Sequence, residues 1–184
     1  GIDHVTCTEE NGVFSFEHYM TPFFSWGFRS ISRGPIVVEV PVNFDGMLWV
    51  KTTNSSIKAE GLAHLNVTEF LTNNGKIEAE MLNSRSMTVK SSNGKIVLRS
   101  LEGCSMTAET SNGKIIADGV IMEDQMKLGT TNGGIEVRDI TADHLDLRTS
   151  NGAIKGVLLG AMSDYNITSS TSNGSNNLPR SANP

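Results

Sequence analysis

The chain of 184 residues carries a formal net charge of −5, and only 38% of its residues are hydrophobic. The acidic balance argues against non-specific nucleic-acid binding, which requires a basic surface. No apolar run approaches the ~20 residues of a membrane-spanning helix, so a membrane would be reached only through segments outside this chain. Because the chain begins at Gly1 without Met, we expect a processed or trimmed product, and any signal peptide or membrane anchor upstream would lie outside this sequence.

Residues 1–35 are predicted to form an irregular N-terminal cap. Residues 5–8 and 13–16 alternate like short strands, and the Asn-Gly between them suits a hairpin or a corner. Residues 18–28 contain Pro and Gly, so no regular element is expected there. Residues 36–42 are predicted to form a strand that ends near Pro41, because proline has no N–H to donate to a sheet.

Aromatic residues are concentrated in this cap, with seven of the chain's eleven between Phe14 and Phe28. One role for them is a hydrophobic lid on the first unit of the repeat that follows, which would hide an open core and block edge pairing. The other role is a surface that binds a partner or stacks on sugars, with Tyr19, Phe24 and Trp26 as candidate contact residues. The two roles are compatible.

A motif of the type Ser-Asn-Gly-Lys-Ile then recurs almost to the C-terminus. Its Asn stands at Asn54, Asn74, Asn93, Asn112, Asn132, Asn151 and Asn173, with successive spacings of 20, 19, 19, 20, 19 and 22 residues. A fixed period of this size predicts a stack of repeats. The seventh copy departs from the pattern, and residues 177–184 are interpreted as a cap, a frayed tail or the start of another coil.

Apolar residues recur six and four positions before each Asn, and three, five and eight positions after it, where the last column ends at Leu159. They alternate with polar residues, which is typical of strands with one buried face. We therefore predict an all-β fold, a right-handed parallel β-solenoid (β-helix) of about seven coils of 19–20 residues over residues 36–178, followed by a tail at 179–184. The alternation and the Asn-Gly corners argue against an α-helical solenoid.

The asparagines are predicted to be structural. A corner that needs a positive φ suits Asn followed by Gly, and stacked asparagines can join their amides into a ladder. The alternative is a row of ligand contacts. Ser or Thr stands two positions before each Asn and faces inward by parity, so its hydroxyl is expected to satisfy buried corner amides.

Two further columns carry charge. Six positions after the Asn stand Glu60, Glu80, Arg99, Asp118 and Arg138. Their signs mostly alternate, as expected of exposed cross-strand pairs. Two positions after the Asn stand Lys76, Lys95 and Lys114, three like charges on consecutive coils. These lysines either splay into solvent or share an anion, so they are candidate ligand-binding residues for an anionic polymer.

Nothing in the sequence predicts catalysis. The four histidines share no column, and there is no Gly-x-Ser-x-Gly elbow or phosphate loop. The corners lack the Asp of calcium-binding β-rolls, and the outward column three before the Asn is too mixed for an ice-binding array. We expect no catalytic residue, no metal site and no cofactor. Cys7 and Cys104 exclude a disulfide scaffold by their number, while their pairing stays open.

Val-Glu-Val-Pro at 38–41, Leu-Trp-Val-Lys-Thr-Thr-Asn at 48–54 and the repeated Ser/Thr-Asn-Gly-x-Ile resemble the bacterial adhesin family of β-strand-repeat domains of unknown function. The resemblance covers about residues 36–178, and it departs where Ser55 follows Asn54 and in the aromatic stretch 14–28. It implies a right-handed β-solenoid at the bacterial cell envelope, often beside a membrane segment. The family has no established catalytic residues.

The leading hypothesis is a non-enzymatic, extracytoplasmic module at the cell surface or envelope. Its expected partner is a cell-wall or host glycan, or an envelope protein, and its role is adhesive or structural. One alternative is a polysaccharide-processing enzyme built on a β-helix, which should show unpaired carboxylates converging in a cleft. Another is an envelope-stress signalling ectodomain that recognises its partner through the aromatic cap.

Overall fold

A computed structural model describes residues 3–10, 13–20, 37–41 and 43–182. Over these residues the chain is almost entirely β-strand, with a single turn of 3-10 helix at Met162–Asp164. The strands are β1 Asp3–Glu10, β2 Val13–Met20, β3 Met47–Lys51, β4 Ile57–Glu60, β5 Leu65–Thr72, β6 Ile77–Ser91, β7 Ile96–Thr110, β8 Ile115–Thr130, β9 Ile135–Ile140, β10 His144–Thr149, β11 Ile154–Leu158, β12 Asn166–Thr171 and β13 Ser181–Ala182. Within the same ranges, no helix has the length and apolar character needed to cross a membrane.

The strands stack in parallel, coil upon coil. Along the face that precedes the Asn corners, the neighbours in register are Leu48, Thr68, Met87, Met106, Met126, Leu145 and Ile167. Along the face that follows the corners they are Ile57, Ile77, Ile96, Ile115, Ile135 and Ile154. The predicted β-solenoid of about seven coils is therefore confirmed, and its right-handed sense stays a prediction from the crossover rule.

The core is built from the predicted apolar columns. The side chains of the isoleucine column are fully buried from Ile77 to Ile154, and so are those of Met87, Met106 and Met126 on the other face. In-register stacking places each buried side chain against its equivalent in the next coil, which covers a face that one coil could not cover alone. Each buried isoleucine contributes about 1.5–3 kcal/mol, so the middle coils are held more firmly than the ends.

One apolar column ends differently from the prediction. Leu159 was expected to be buried, but its side chain is 45% exposed. The register shifts between Val157 and Leu158, where β11 has one residue fewer than β9, so that Leu158 lies beside Ile140. Leu158 packs against the core in place of Leu159. A register shift of one residue moves every later side chain of the strand to the other face.

The strand predicted at 36–42 is also wrong for its described part. Residues 37–41 form no strand, and Val37 is 75% exposed. The edge of β3 is already paired with β2, where Val13 lies beside Met47. Alternating residues without a partner edge do not make a strand, because the backbone hydrogen bonds have nowhere to go.

The N-terminal residues are more regular than predicted. Strands β1 and β2 pair antiparallel from Asp3 beside Met20 to Glu10 beside Val13, so the predicted hairpin is confirmed and continues through Tyr19. Phe24 and Trp26 lie outside the described residues. Cys7 in β1 and Cys104 in β7 are five strand steps apart in the stacking order, about 24 Å, which is beyond the ~7 Å reach of a disulfide.

The last coil is capped by residues 177–182. Strand β13 pairs antiparallel with β12, and Leu178 is buried against the core. A Cβ on Gly156 would lie 2.7 Å from the Leu178 side chain, so glycine there leaves room for the cap. Of the three interpretations of the C-terminus, the cap is confirmed for these residues.

We expect Ile96→Asp to lower the free energy of unfolding by more than about 3 kcal/mol, because an unpaired carboxylate would enter the core. Ile96 is fully buried between Ile77 and Ile115. Urea titration followed by circular dichroism measures the change. The control is Lys95→Asp at the exposed neighbouring position, with an expected change within about 1 kcal/mol. Equal midpoints for the two variants would contradict the column assignment.

Candidate functional site

The asparagine corners form a continuous ladder, as predicted. Nδ2 of each Asn donates a hydrogen bond to Oδ1 of the Asn one coil earlier, at 2.6–2.7 Å, from the Asn74–Asn54 pair to the Asn173–Asn151 pair. Each interior amide therefore both donates and accepts along the stack. The ladder fixes the spacing and orientation of one edge of the solenoid.

The hydroxyl column behind the ladder also has its predicted role. Thr130 Oγ1 accepts a hydrogen bond from Gly133 N at 3.2 Å and donates one to Gly113 O at 3.0 Å. The same two bonds recur in the other coils that have Ser or Thr at this position above an earlier corner. A buried hydroxyl thus satisfies both a backbone amide and a backbone carbonyl at each corner.

The corner glycines are required for a different reason from the one predicted. Positive φ angles occur at none of the Asn-Gly corners. Instead, a Cβ added to a corner glycine would lie 1.7–1.9 Å from the carbonyl oxygen of the preceding corner, as at Gly113 above Gly94. Only glycine permits this close approach. Ser55 takes the equivalent place in the first copy of the motif.

A second corner, which the sequence reasoning missed, carries five of the seven positive φ angles found in the described residues. It lies seven positions after the Asn and comprises Gly61, Met81, Ser100, Gly119 and Asp139. Two glycines in this column were the available signal. Asp139 is also of a type that tolerates the left-handed conformation, whereas Met81 and Ser100 do not indicate it.

Two of the three predicted lysines form ion pairs with carboxylates of the chain. Lys76 forms an ion pair with Glu78 at 2.8 Å, and Lys114 forms one with Glu136. The Lys76 hydrogen bond holds the pKa of Glu78 below its usual value, and Lys114 does the same for Glu136. Lys95 is exposed, and no ion pair is found for it within the described ranges. Carboxylates of this chain therefore neutralise two of the three like charges.

The alternating charge column lies in the predicted register, but its ion pair is diagonal. Arg99 stands beside Glu80 and Asp118 in neighbouring coils. Its Nη1 instead contacts Glu78 Oε1 at 3.1 Å. The long guanidinium side chain reaches a carboxylate two positions away, which register alone does not reveal.

A groove of about 600 Å³ runs along the face that precedes the Asn corners. Six coils contribute to its lining, from Lys51 in β3 to Arg148 in β10, a span of about 24 Å at the parallel strand spacing. One wall is the outward column three before the Asn, and the other consists of polar residues next to the ladder, including Asn73, Ser92 and Ser111. The groove lies in the described part of the chain, and the sequence reasoning missed it.

The groove is positively charged although the chain as a whole is acidic. Its lining contains the cations Lys51, Lys90, Lys127 and Arg148, and one carboxylate, Glu109. Lys90 and Lys127 both contact Glu109, each with an Nζ–Oε distance of 3.1 Å. Hydrogen bonds from Lys127 and then Lys90 hold the pKa of Glu109 below its usual value. Within the described residues, no three His, Cys, Asp or Glu side chains are grouped closely enough to hold a metal ion.

The profile of a protein family described as Toastrack DUF4097 matches residues 5–178. The match takes in both strands of the N-terminal hairpin and every Asn corner, so it begins well before the point where the sequence resemblance does. No curated protein and no solved structure matches the chain. Membership in a repeat family of unknown function, as the sequence resemblance implied, is confirmed.

Substitution of a corner glycine should be far more damaging than substitution of the groove glycine. In Gly113→Ala the new Cβ would lie 1.9 Å from Gly94 O, and we expect a loss of about 1–3 kcal/mol from the forced backbone shift. In Gly129→Ala the nearest heavy atom would be 3.8 Å away, and we expect a neutral change or a gain of up to about 1 kcal/mol. Thermal unfolding of the two variants measures the difference, and equal melting temperatures would contradict it.

Acid should weaken the protein partly through Glu109. Because its pKa is lower in the folded chain than the ordinary value of 4.5, its contribution to stability is present above pH ~4.5 and is lost as the pH falls through the folded-state pKa. We expect Glu109→Gln to lose less stability than the parent chain between about pH 6 and pH 2. The difference is small because the side chain is partly exposed. The measurement is urea unfolding of both proteins as a function of pH. If their free energies of unfolding changed in parallel with pH, the contacts of Glu109 with Lys90 and Lys127 would not contribute.

Proposed function

Because the chain belongs to the Toastrack DUF4097 family, whose function is unknown, we propose its role from its surface: a non-enzymatic β-solenoid of the cell envelope that binds an extended glycan along its groove. The observation that carries this proposal is the groove itself, which six coils line over about 24 Å. A surface of this length suits a chain-like ligand better than a compact one.

The walls of the groove offer what a glycan requires. Asn73, Ser92, Ser111 and Thr131 line one side and supply hydroxyl and amide groups in successive coils. The backbone beneath them is fixed, because the ladder asparagines and the buried Thr hydroxyls hold every corner to its neighbour. A preorganised surface loses little conformational entropy when a ligand binds. Repeated polar groups at a constant spacing can therefore bind a repeating polymer.

The electrostatics of the groove favour binding over cleavage. A glycosidase needs a carboxylic acid of raised pKa and a second carboxylate about 5–10 Å away. Among the described residues that line the groove, Glu109 is the one carboxylate, and its two lysine partners lower its pKa. This pattern supports a binding role for the groove. The envelope location in the proposal comes from the sequence resemblance, and fractionation of cells that express the parent protein would test it.

The test of this proposal uses immobilised bacterial envelope glycans, both neutral and acidic. We expect the folded protein to be retained by at least one glycan. The length of that glycan should stay unchanged, as judged by size analysis of the released polymer. The control is Ile96→Asp, which should not be retained because its coil stack is disrupted. Shortened glycans would favour a processing enzyme. Retention of an envelope protein in place of every glycan would refute the glycan proposal.

A further inference from the structure

Gly129 is a glycine inside a strand that has no folding reason to be glycine. It lies in β8, its φ is not positive, and a Cβ there would meet nothing nearer than Glu109 Cγ at 3.8 Å. The corner glycines, by contrast, are forced by a carbonyl oxygen at 1.7–1.9 Å. Glycine weakens a strand interior and often marks a place where a ligand approaches the backbone closely.

Gly129 lies in the wall of the groove formed by the outward column three positions before the Asn. The equivalent residues in neighbouring coils of the wall are long or bulky, namely Lys51, Leu71, Lys90, Glu109 and Arg148. Gly129 therefore opens a gap in that wall, between Glu109 on one side and Arg148 on the other. All of these residues line the groove.

The charges beside the gap already bind a carboxylate. Lys90 contacts Glu109 Oε2 and Lys127 contacts Glu109 Oε1, so the two ammonium groups hold one carboxylate between them. This carboxylate is partly exposed, with 36% of its side-chain surface accessible. A carboxylate that arrives from solvent can therefore replace it without being buried, and it would find the two lysines in place.

We propose that the groove binds a carboxylate-bearing glycan, whose acidic groups take Lys90 and Lys127 from Glu109 and whose chain passes over Gly129. This proposal rests on the glycan-binding function and adds the charge of the ligand and its position. Glu109 then acts as an internal competitor, because it occupies the cations until the ligand replaces it. Replacement of Glu109 by a neutral residue should therefore strengthen binding of the glycan. An acidic residue that did not occupy these lysines would affect affinity only through the net charge of the protein.

The first experiment compares two glutamates that both pair with lysine. Binding of polygalacturonate, with one carboxylate per sugar, is measured by calorimetry for the parent chain, Glu109→Gln and Glu136→Gln. Both variants lose one negative charge, but Glu136 pairs with Lys114 on the face that follows the corners. We expect Glu109→Gln to bind at least fivefold more tightly than the parent and Glu136→Gln to stay within twofold. Equal effects of the two substitutions would overturn the proposal.

The second experiment fills the gap. Gly129→Leu adds an apolar side chain in the gap between Glu109 and Arg148, and we expect polygalacturonate affinity to fall at least tenfold while the melting temperature is kept or raised. The matched control is Asn83→Leu, an exposed neutral position outside the groove, with unchanged affinity. Undiminished binding by Gly129→Leu would overturn the proposed position of the ligand.

Two other polymers test the ligand's chemistry. Neutral dextran should bind at least tenfold more weakly than polygalacturonate, and raised salt should weaken the binding of the acidic polymer. Inorganic polyphosphate bound in preference to polygalacturonate would overturn the carboxylate assignment. If the parent chain is retained by envelope glycans but the Glu109 and Gly129 variants bind like the parent, this inference fails while the proposed function stands. Absence of any glycan binding would refute both.

Discussion

The stack depends on the close approach of one corner backbone to the next. At each Asn-Gly corner there is no room for a Cβ on the glycine, because it would lie within 2 Å of the carbonyl oxygen of the corner one coil earlier. Once the corners are stacked at this distance, the asparagine amides are within hydrogen-bond reach and the buried Thr hydroxyls meet both an amide and a carbonyl. The same register places isoleucine against isoleucine in the core. A single steric constraint, repeated in every coil, therefore aligns the polar edge and the apolar interior.

Most of this architecture could be predicted because the sequence repeats it. Seven copies of one motif are seven observations of one local structure, so the buried columns, the asparagine ladder and the hydroxyl column stand out from chance. Features that are not repeated could not be predicted in this way. The register shift before Leu158 placed Leu159 in solvent, and the alternating residues 37–41 form no strand. Alternation indicates a strand only where a partner is available.

The chemistry of the corners was harder to predict than their positions. Asn-Gly suggested a positive φ, but steric contact is what selects the glycine. The left-handed conformation occurs one corner later, where residues such as Met81 and Asp139 adopt it. Packing of neighbouring coils imposes that conformation on Met81 against its local preference, whereas aspartate tolerates it. Charged columns show a similar limit, because Arg99 pairs with the diagonal Glu78 although its neighbours in register are also acidic.

The groove escaped the sequence reasoning for the opposite reason. One wall is a column with a different residue in almost every coil, so it gives no periodic signal in the sequence. In a repeat protein, however, a position that the fold leaves unconstrained is free to vary, and function can act on that variation. Lys76 and Lys114 recur in the motif and are neutralised by nearby glutamates. Glu109 and Gly129 do not recur. The first is held between two lysines, and the second leaves a gap that a larger residue would fill without strain. In this solenoid the repeated residues therefore explain how the chain folds, and the proposed binding depends on residues that depart from the repeat.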